Sequence, residues 1–274
     1  MTTCLVQLSD THIREPGRLA YGRIDTAAFL RQAVQGVADL PQGPDAVVIT
    51  GDLCDFGRPA EYDHLAELLA PLPMPVYLMP GNHDDRDELR RSFPAHHYLG
   101  REGPVQYSVP VGGLRLLALD STVPRHSHGM LDAGRLAWLE AELEVHRGTP
   151  VVLAMHHAPF RTLINGMDDI GLQEGATELE ALVRRHANVE RVICGHLHRA
   201  IEVRFGGTIA STSPGTAHAV ALDLDAGHDL GWTLEPPALR LHVLPPGGRL
   251  VTHLVPLGTF DGPYPFSDGA GLID

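Results

Sequence analysis

Side chains that could bind metal ions follow five short apolar runs of the sequence. They are aspartate, asparagine and histidine residues, and they fall in the blocks Asp10-Thr11-His12, Gly51-Asp52-Leu53-Cys54-Asp55, Gly81-Asn82-His83-Asp84-Asp85, His156-His157-Ala158-Pro159 and Gly195-His196-Leu197-His198. Carboxylate and amide oxygens combined with imidazole nitrogens suit divalent iron, manganese, cobalt or zinc. The residue types therefore predict metal-dependent chemistry that requires no thiolate.

Each block, taken alone, also has a purely structural interpretation. Glycine followed by aspartate or asparagine is typical of a strand-to-helix turn with a helix cap. On extended backbone, residues two apart point to the same side, so Asp10 and His12 could both bind one ion, and His196 and His198 share one side. Five such blocks in one chain favour a shared metal site over five independent turns.

The charge composition narrows the classes of function. In 274 residues there are 34 acidic and 21 basic side chains, which gives a net charge of −13. This balance argues against a nucleic-acid polymer or an anionic membrane as a partner. All of the basic residues are arginine, so mechanisms that use a Schiff-base lysine, a phosphate-loop lysine or a kinase lysine are excluded.

The cysteines and the apolar segments predict a cytoplasmic protein. Cys4, Cys54 and Cys194 are scattered and form no CxxC motif, a pattern typical of neither a disulfide framework nor a thiolate zinc site. The first residues show no secretory pattern, and no apolar run approaches the ~18 residues that a membrane span needs. We therefore expect no association with a membrane.

The blocks must be positioned by the elements between them. Apolar runs predict buried strands at Cys4–Leu8, Ala46–Thr50, Val76–Met79, Leu114–Leu119, Val151–Met155 and Arg191–Cys194. Segments with helical periodicity predict helices at Ile24–Ala38, Ala60–Leu69, Ala133–His146 and Thr177–His186. This alternation predicts a largely parallel sheet covered by helices, with functional residues at the carboxyl ends of its strands.

The pattern changes after about Val203, where helical periodicity stops. Alternating runs separated by Pro-Pro and Gly-Gly turns predict strands at Thr208–Thr212, Ala217–Leu224, Leu239–Leu244 and Leu250–Val255. We interpret them as a second, antiparallel sheet. The tail Gly258–Asp274 is rich in glycine, proline and aromatic residues, which favours either a packed extension or an arm that joins copies of the chain in a homo-oligomer.

The order and spacing of the five blocks resemble the signature of the calcineurin-like metallophosphoesterases. The resemblance covers residues 10–198, and the sequences HHAP and GHLH together with Ser213–His218 resemble the branch of class III cyclic-nucleotide phosphodiesterases and glycerophosphodiesterases. The fold implied is α/β, a two-sheet β-sandwich flanked by helices (αββα) with a C-terminal β-rich extension. We therefore divide the chain into a metallophosphoesterase domain, residues 1–257, and an extension, residues 258–274.

The resemblance also implies an activity and a set of site residues. The activity is hydrolysis of small phosphodiesters, either 3′,5′-cyclic nucleotides or glycerophosphodiesters, by attack of a metal-activated hydroxide on phosphorus. Two divalent ions, of iron, manganese, cobalt or zinc, are implied. The ligands implied for the first ion are Asp10, His12, Asp52 and His198, and those for the second are Asp52, Asn82, His156 and His196. His83 would contact the phosphate and protonate the leaving alkoxide.

Several assignments near these ligands have alternatives. Either imidazole of His156-His157 could reach the metal; we expect His156 to be the ligand, and His157 to be either an outer partner of the metal ligands or a contact to the substrate phosphate. His218 is a second candidate for a substrate contact, with a buried structural role as the alternative. Asp84 or Asp85 could either orient His83 or cap a helix.

Two other functions remain compatible with the same blocks. A phosphomonoesterase would use the same metal site and would be expected to place extra arginines near it to bind a dianion. A non-catalytic interaction scaffold could retain the fold, although a scaffold has no need of seven converging donors. Purple acid phosphatases carry a tyrosine three residues after the bridging aspartate, whereas this chain has Asp55. We therefore do not expect the colour that arises from a tyrosinate bound to iron.

Overall fold

The computed structural model describes residues 1–225, 227–269 and 272. The strands are β1 Thr3–Leu8, β2 Ala46–Ile49, β3 Val76–Leu78, β4 Tyr107–Val111, β5 Leu114–Ala118, β6 Gly129–Met130, β7 Val151–Ala154, β8 Leu172–Glu174, β9 Val189–Cys194, β10 Glu202–Phe205, β11 Thr208–Thr212, β12 Ala219–Val220, β13 Trp232–Thr233, β14 Ala238–Leu244 and β15 Val251–Pro256. The helices are α1 Thr26–Ala38, α2 Pro59–Leu69, α3 Arg86–Ser92, α4 Ala133–Val145, α5 Asn165–Asp168 and α6 Ala176–Arg185, with a 3₁₀ turn at His97–Leu99.

Two mixed sheets form the centre of the fold. The first has the order β15-β14-β1-β2-β3 and the second the order β10-β11-β9-β7-β5-β4, while β12 pairs with β13 and β6 with β8. Strands β1, β2 and β3 run parallel, as do β5, β7, β9 and β11, and antiparallel strands extend the sheets. Parallel neighbours need crossover connections, and α1, α2, α4 and α6 lie in those connections.

The sheets face each other, and the helices cover them from outside. The Gln7 side-chain amide of β1 donates to the Cys194 carbonyl of β9 at 3.0 Å, and the Tyr107 hydroxyl of β4 donates to the Leu78 carbonyl of β3 at 3.0 Å. Helix α2 contacts α1 and α3, whereas α4 contacts α6. The predicted αββα sandwich is thereby confirmed.

Local sequence explains the elements that carry the site. Strands β1, β2 and β7 are buried at every position, as expected for parallel strands with a helix on one face and a sheet on the other. The Asp25 carboxylate caps α1 by accepting from the Ala28 amide at 2.9 Å, and Leu30, Val34 and Val37 form its buried stripe. The core strands therefore end in polar residues at the rim of the sandwich.

The separate antiparallel sheet predicted after Val203 is wrong. Strands β10 and β11 extend the second sheet, with β11 parallel to β9, and β14 and β15 extend the first beside β1. The open edges of both sheets offer unpaired backbone groups, and pairing there satisfies them. The strand predicted at Ala217–Leu224 is reduced to the two residues of β12, because Asp223 accepts from the Asp225 amide in a local turn.

The tail exposes several aromatic side chains. Phe260 is 65%, Tyr264 68% and Phe266 89% exposed. Residues 270, 271, 273 and 274 of the predicted extension lie outside the described residues. None of the helices in the described part of the chain is both long and apolar enough to cross a bilayer.

Candidate metal centre

The carboxyl ends of five strands meet at one edge of the sandwich. Strands β1, β2 and β3 of the first sheet and β7 and β9 of the second lead directly into the five polar blocks. The residues brought together are Asp10, His12, Asp52, Asn82, His83, His156, His196 and His198. All of these side chains are buried except those of Asn82 and His83, which are partly exposed. The site is therefore shared by both sheets.

The first predicted ligand group is assembled in the structure. One ligand atom each from Asp10, His12, Asp52 and His198 lies within 4.8 Å of all the others. His12 Nε2 is 3.2 Å from His198 Nε2 and 3.6 Å from Asp52 Oδ2, and His198 Nε2 is 3.6 Å from Asp10 Oδ1. Nitrogen and oxygen lone pairs that point at one another over such short distances would be stabilised by one cation bound between them.

The second predicted ligand group adjoins the first through Asp52. His156 Nε2 lies 3.1 Å from Asn82 Oδ1 and 3.5 Å from Asp52 Oδ2. The His196 ring is 5.1 Å from the His156 ring, and its buried Nε2 atom has no hydrogen-bond partner among the residues that the structure describes. Because Asp52 Oδ2 approaches both groups, it stands where a carboxylate bridging two ions would stand.

The protein fixes which nitrogen of three imidazoles faces the cluster. The Nδ1–H groups of His12, His156 and His198 donate to Asp55 Oδ1 at 3.3 Å, the Thr50 carbonyl at 2.8 Å and the His218 carbonyl at 3.3 Å. Each ring therefore directs an Nε2 lone pair into the site. Such outer partners are typical of metal-binding histidines, and the donor set fits divalent ions.

The side chains of the predicted ligands point into the site because of a left-handed backbone conformation, and not because residues alternate along a strand. Asp10, His12, Asp52, His196 and His198 have φ values of 54°, 43°, 49°, 70° and 50°. The prediction that Asp10 and His12, and likewise His196 and His198, point to the same side because they lie on extended backbone therefore gives the wrong physical reason. A left-handed residue costs roughly 1–2 kcal/mol when it is not glycine, and strain of this kind concentrates at functional sites.

Glycine allows the strand ends to approach one another. A Cβ at Gly195 would lie 2.2 Å from Ser9 Oγ and 3.1 Å from Asp10 Oδ2, and one at Gly81 would lie 2.2 Å from the Asp52 amide nitrogen. The two distances of 2.2 Å are far below van der Waals contact. The two positions require glycine for steric reasons.

Burial and mutual charge make the metal-free site strongly attractive to cations. Burial raises the pKa of Asp10 to about 6, and the neighbouring Asp52 charge adds to this effect. Burial alone would lower the pKa of His156, but Asp52 and Asp10 outweigh it and raise that pKa to about 9. Burial alone would raise the pKa of Asp52, but the nearby His156, His83 and His12 together outweigh it and hold that pKa well below its usual range. A proton on His156 thus occupies the place that a metal ion would take.

His83 lies beside the predicted ligands, and one of its two ring nitrogens is already hydrogen-bonded. Its Nδ1–H donates to the Asp55 carbonyl at 2.8 Å, and its backbone N–H donates to Asp52 Oδ1 at 2.9 Å. Neither Asp84 nor Asp85 orients the ring. Asp85 caps α3 by accepting from two amides of its first turn, and Asp84 accepts from the backbone amides of Leu53, Cys54 and Gly81.

The two predicted substrate contacts differ in their surroundings. His157 is fully buried; its Nδ1 accepts from the Ser121 hydroxyl at 2.9 Å and its Nε2–H donates to the Ser127 carbonyl at 3.1 Å. No nitrogen is left for a phosphate, so the structure does not support this contact. His218 borders a cavity of about 230 Å³ that opens on the cluster, and within the described ranges its Nδ1 has no hydrogen-bond partner.

The same cavity is lined by residues that the sequence patterns do not reveal. Tyr21, Ser127, Leu230 and Trp232 belong to its wall. No local spacing signals them, because they lie on loops or short strands far from the polar blocks. Asp84, in contrast, has a sequence signal, because it directly follows Gly81-Asn82-His83. Its carboxylate accepts from backbone amides in the loops after β2 and β3 and so connects the two loops.

Comparison with known proteins identifies the family. A profile of calcineurin-like phosphoesterases matches residues 5–200. The chain belongs to this family. It is similar to a probable glycerophosphodiester phosphodiesterase GpdQ of Arcobacter nitrofigilis, with 35% identity over 98% of this chain and 99% of that protein. A cAMP/cGMP dual specificity phosphodiesterase of Mycobacterium tuberculosis is 32% identical over 93% of this chain and 79% of its own.

A solved structure supports the fold of this calcineurin-like phosphoesterase. The purple acid phosphatase PPD1 of yellow lupin superposes with a TM-score of 0.65 at 16% identity, covering 89% of this chain and 49% of the lupin chain. At this identity the likeness concerns the fold alone. Members of the family use divalent metals, and the Asp and His groups described above are able to hold them.

Proposed function

We propose that the chain hydrolyses small phosphodiesters at a centre of two divalent metal ions. The observation that carries the proposal is the approach of one carboxylate oxygen, Asp52 Oδ2, to both ligand groups, at 3.6 Å from His12 Nε2 and 3.5 Å from His156 Nε2. Relatives named as glycerophosphodiester and cyclic-nucleotide phosphodiesterases match nearly the whole chain, which supports the diester class.

The ligand roles follow the two groups. We assign the first ion to Asp10, His12, Asp52 and His198, and the second to Asp52, Asn82, His156 and His196. Divalent ions bound there would supply Lewis acidity and make hydroxide available at neutral pH. Asp55, Thr50 and the His218 carbonyl hold the imidazoles in the orientation that this binding requires.

We assign the leaving-group proton to His83. Because Nδ1–H is bonded to the Asp55 carbonyl, the second nitrogen, Nε2, is free to carry a proton when the ring is an imidazolium. The ring stands at an edge-on angle to His12, with 4.7 Å between centroids, and it borders the cavity. An alkoxide that leaves phosphorus on this side would receive the Nε2 proton.

The charges around the cavity favour a diester over a monoester. Two divalent ions, the carboxylates of Asp10 and Asp52 and one hydroxide would leave a net charge of about +1 in an otherwise acidic protein. Within the described part of the chain, none of the residues that line this cavity is an arginine. Arg14 is paired with Asp55 and Glu61, and Arg86 with Asp120. A phosphate monoanion therefore matches the site better than a dianion.

The first test compares two chromogenic substrates. Metal-stripped protein is reconstituted with manganese, iron, cobalt or zinc, and its rates with bis-p-nitrophenyl phosphate and p-nitrophenyl phosphate are measured. We expect faster turnover of the diester, and no turnover before metal is added. Preference for the monoester would replace the proposal by a phosphomonoesterase. Metal binding without turnover of either substrate would favour the scaffold.

We further propose that the C-terminal tail joins two copies of the chain. Its aromatic residues are exposed, and the adjoining edge strand β15 exposes Val251 (48%) and Leu254 (50%). An apolar edge strand is a surface that promotes association. Light scattering at micromolar concentration should give at least twice the monomer mass, and a monomer mass would contradict this proposal.

A further inference from the structure

An aromatic pair, Tyr21 and Trp232, forms one side of the cavity above the metal centre. Their rings are stacked, with 5.7 Å between centroids and 21° between planes, and both line the cavity. Leu230, which is 50% exposed, lies beside them in the same wall. We call Tyr21 and Trp232 the aromatic wall.

Tyr21 is held in an unfavourable conformation and yet is half exposed. It occupies a tight turn in which the Arg23 amide donates to the Ala20 carbonyl at 3.0 Å. Tyr21 and Gly22 have φ values of 50° and 65°, a conformation that favours glycine or asparagine and that bulky residues rarely adopt. A residue that is 50% exposed recovers little of this cost by burial, which points to a use of Tyr21 at the surface.

Trp232 reaches the wall from a distant part of the chain and is anchored there. It lies in β13, opposite Val220 of β12, and it packs on a small apolar cluster made of Ala20, Ile24 and Ala217. The anchoring fixes the indole beside the Tyr21 turn. Trp232 is partly exposed and Tyr21 is half exposed, and both line the cavity in fixed positions.

One imidazole connects the wall to the ligand groups. The His218 ring is 5.3 Å from the Tyr21 ring and 6.2 Å from the Trp232 ring, and on its other side it is 4.5 Å from His198 and 5.4 Å from His12. A substituent on a phosphate bound at the cluster can thus reach the wall across a single side chain.

We propose that the aromatic wall binds a planar aromatic substituent of the phosphodiester, a nucleobase or an aryl group, by stacking. This inference rests on the proposed phosphodiesterase function and specifies its substrate class. Aromatic side chains stack with any base, since each base presents a π-face. An alkyl substituent such as glycerol has no aromatic face that could stack on these rings, so the aromatic wall would add little to its binding.

The test uses two diesters that differ in aromatic content. Bis-p-nitrophenyl phosphate carries rings, whereas glycerophosphoglycerol carries none. Trp232→Leu should lower kcat/KM for the aryl diester about tenfold or more and change that for glycerophosphoglycerol less than about twofold. Trp232→Phe, which retains a ring, should restore most of the loss. Equal losses on both substrates, or none on either, would overturn the proposal.

Fluorescence provides a second readout that does not depend on turnover. The chain has two tryptophans, Trp138 and Trp232, and Trp138 lies in α4, outside the cavity lining. In zinc-reconstituted Trp138→Phe protein, AMP should quench the remaining fluorescence and glycerol 3-phosphate should not. The reciprocal Trp232→Phe protein should show no AMP quenching.

Failure of the two proposals can be told apart. If the wild-type enzyme hydrolyses neither diester, the phosphodiesterase proposal fails, and the quenching experiment then decides the aromatic wall by itself. If the wild type hydrolyses both diesters but AMP leaves Trp232 fluorescence unchanged, the aromatic wall is refuted while the hydrolytic function stands.

Discussion

At the scale of single residues, Asp52 joins the two ligand groups and also positions the loop that carries His83. Its Oδ2 atom faces His12 and His156, and its Oδ1 atom accepts from the His83 backbone amide at 2.9 Å. An amide in its place would retain the shape of the side chain, but one of its two terminal atoms would become a donor and the negative charge would be lost.

Asp52→Asn should therefore lower both metal retention and diester hydrolysis. Substitutions of the outer partners of metal ligands cost about 10- to 100-fold, so the loss at a shared ligand should be about 100-fold or more. Metal content after gel filtration and the rate with bis-p-nitrophenyl phosphate measure it. Asp63→Asn, at an exposed position of α2, is the control. A variant that retained two ions and full rate would disprove the shared-ligand role.

His83→Ala should slow substrates according to their leaving group. General acid catalysis contributes about 10²–10⁴-fold where the leaving oxygen needs a proton, so glycerophosphodiesters should lose at least about 100-fold. Bis-p-nitrophenyl phosphate, which releases a stable phenolate, should lose much less. His97→Ala, at an exposed position, should leave both rates unchanged. Identical losses for the two substrates would remove the proton-donor role.

At the scale of elements, the end of β9 is pressed against the end of β1. The Gly195 amide donates to the His156 carbonyl at 3.0 Å, and the His196 amide donates to Asp10 Oδ1 at 2.9 Å. These bonds place three strands in register at the rim. A side chain at Gly195 has no space, since Ser9, Thr50 and Asp10 surround the position.

Gly195→Ala should consequently displace Asp10 and weaken the first ligand group. Overpacking of this kind costs about 1–3 kcal/mol, and urea unfolding together with metal content would measure the two effects. Gly148→Ala is the matched control, because nothing lies within 4 Å of a Cβ built there. If both variants kept wild-type stability and metal content, close approach of the strand ends would not be essential.

At the scale of the whole molecule, a buried polar network joins the two sheets. His242 of β14 donates from Nε2 to Gln7 Oε1 at 3.2 Å and accepts at Nδ1 from the Thr252 hydroxyl at 2.8 Å, while the Gln7 amide donates to Thr50 and to Cys194 across the sandwich. Burial lowers the pKa of His242 to about 3, and the charges of Arg191 and Arg240 act in the same direction.

This network should make the fold acid-sensitive. Between the ordinary histidine pKa of 6.5 and about 3, the unfolded chain binds a proton at His242 that the native protein does not, so stability falls as pH falls through this range. The expected contribution between pH 7.5 and 5.5 is about 1.4 kcal/mol. His242→Gln should remove it, as urea unfolding with chelator at both pH values would show. An unchanged pH dependence in the variant would contradict the assignment.

Sequence patterns predict those strands, helices and polar blocks that are specified by residues close together in the chain. The five blocks and the apolar runs before them lie as predicted, and the family that they resemble is confirmed by the match over residues 5–200. Strand β4 escapes prediction because Pro110 disfavours strands, yet β4 is an edge strand where proline is tolerated. Helix α3 escapes because Leu89 is its only buried residue, which leaves no apolar period.

The features that could not be predicted depend on tertiary contacts. Which sheet edge accepts β11 or β14 is decided by pairing between distant segments, and no residue pattern encodes it. The aromatic wall is invisible for the same reason, since Tyr21 and Trp232 meet only in the folded chain. The left-handed conformation of the proposed ligands is also set by the folded rim, because aspartate and histidine alone would favour other regions.

The left-handed ligands have a consequence for laboratory evolution. Five proposed ligands have backbone conformations that glycine would adopt without strain. Replacing such a ligand by glycine would therefore stabilise the metal-free protein while removing its ability to bind metal. A selection for heat resistance carried out without metal should therefore accumulate changes at His12 or His198 first. Supplying metal during the same selection should protect these positions, because binding energy then rewards the strained side chains.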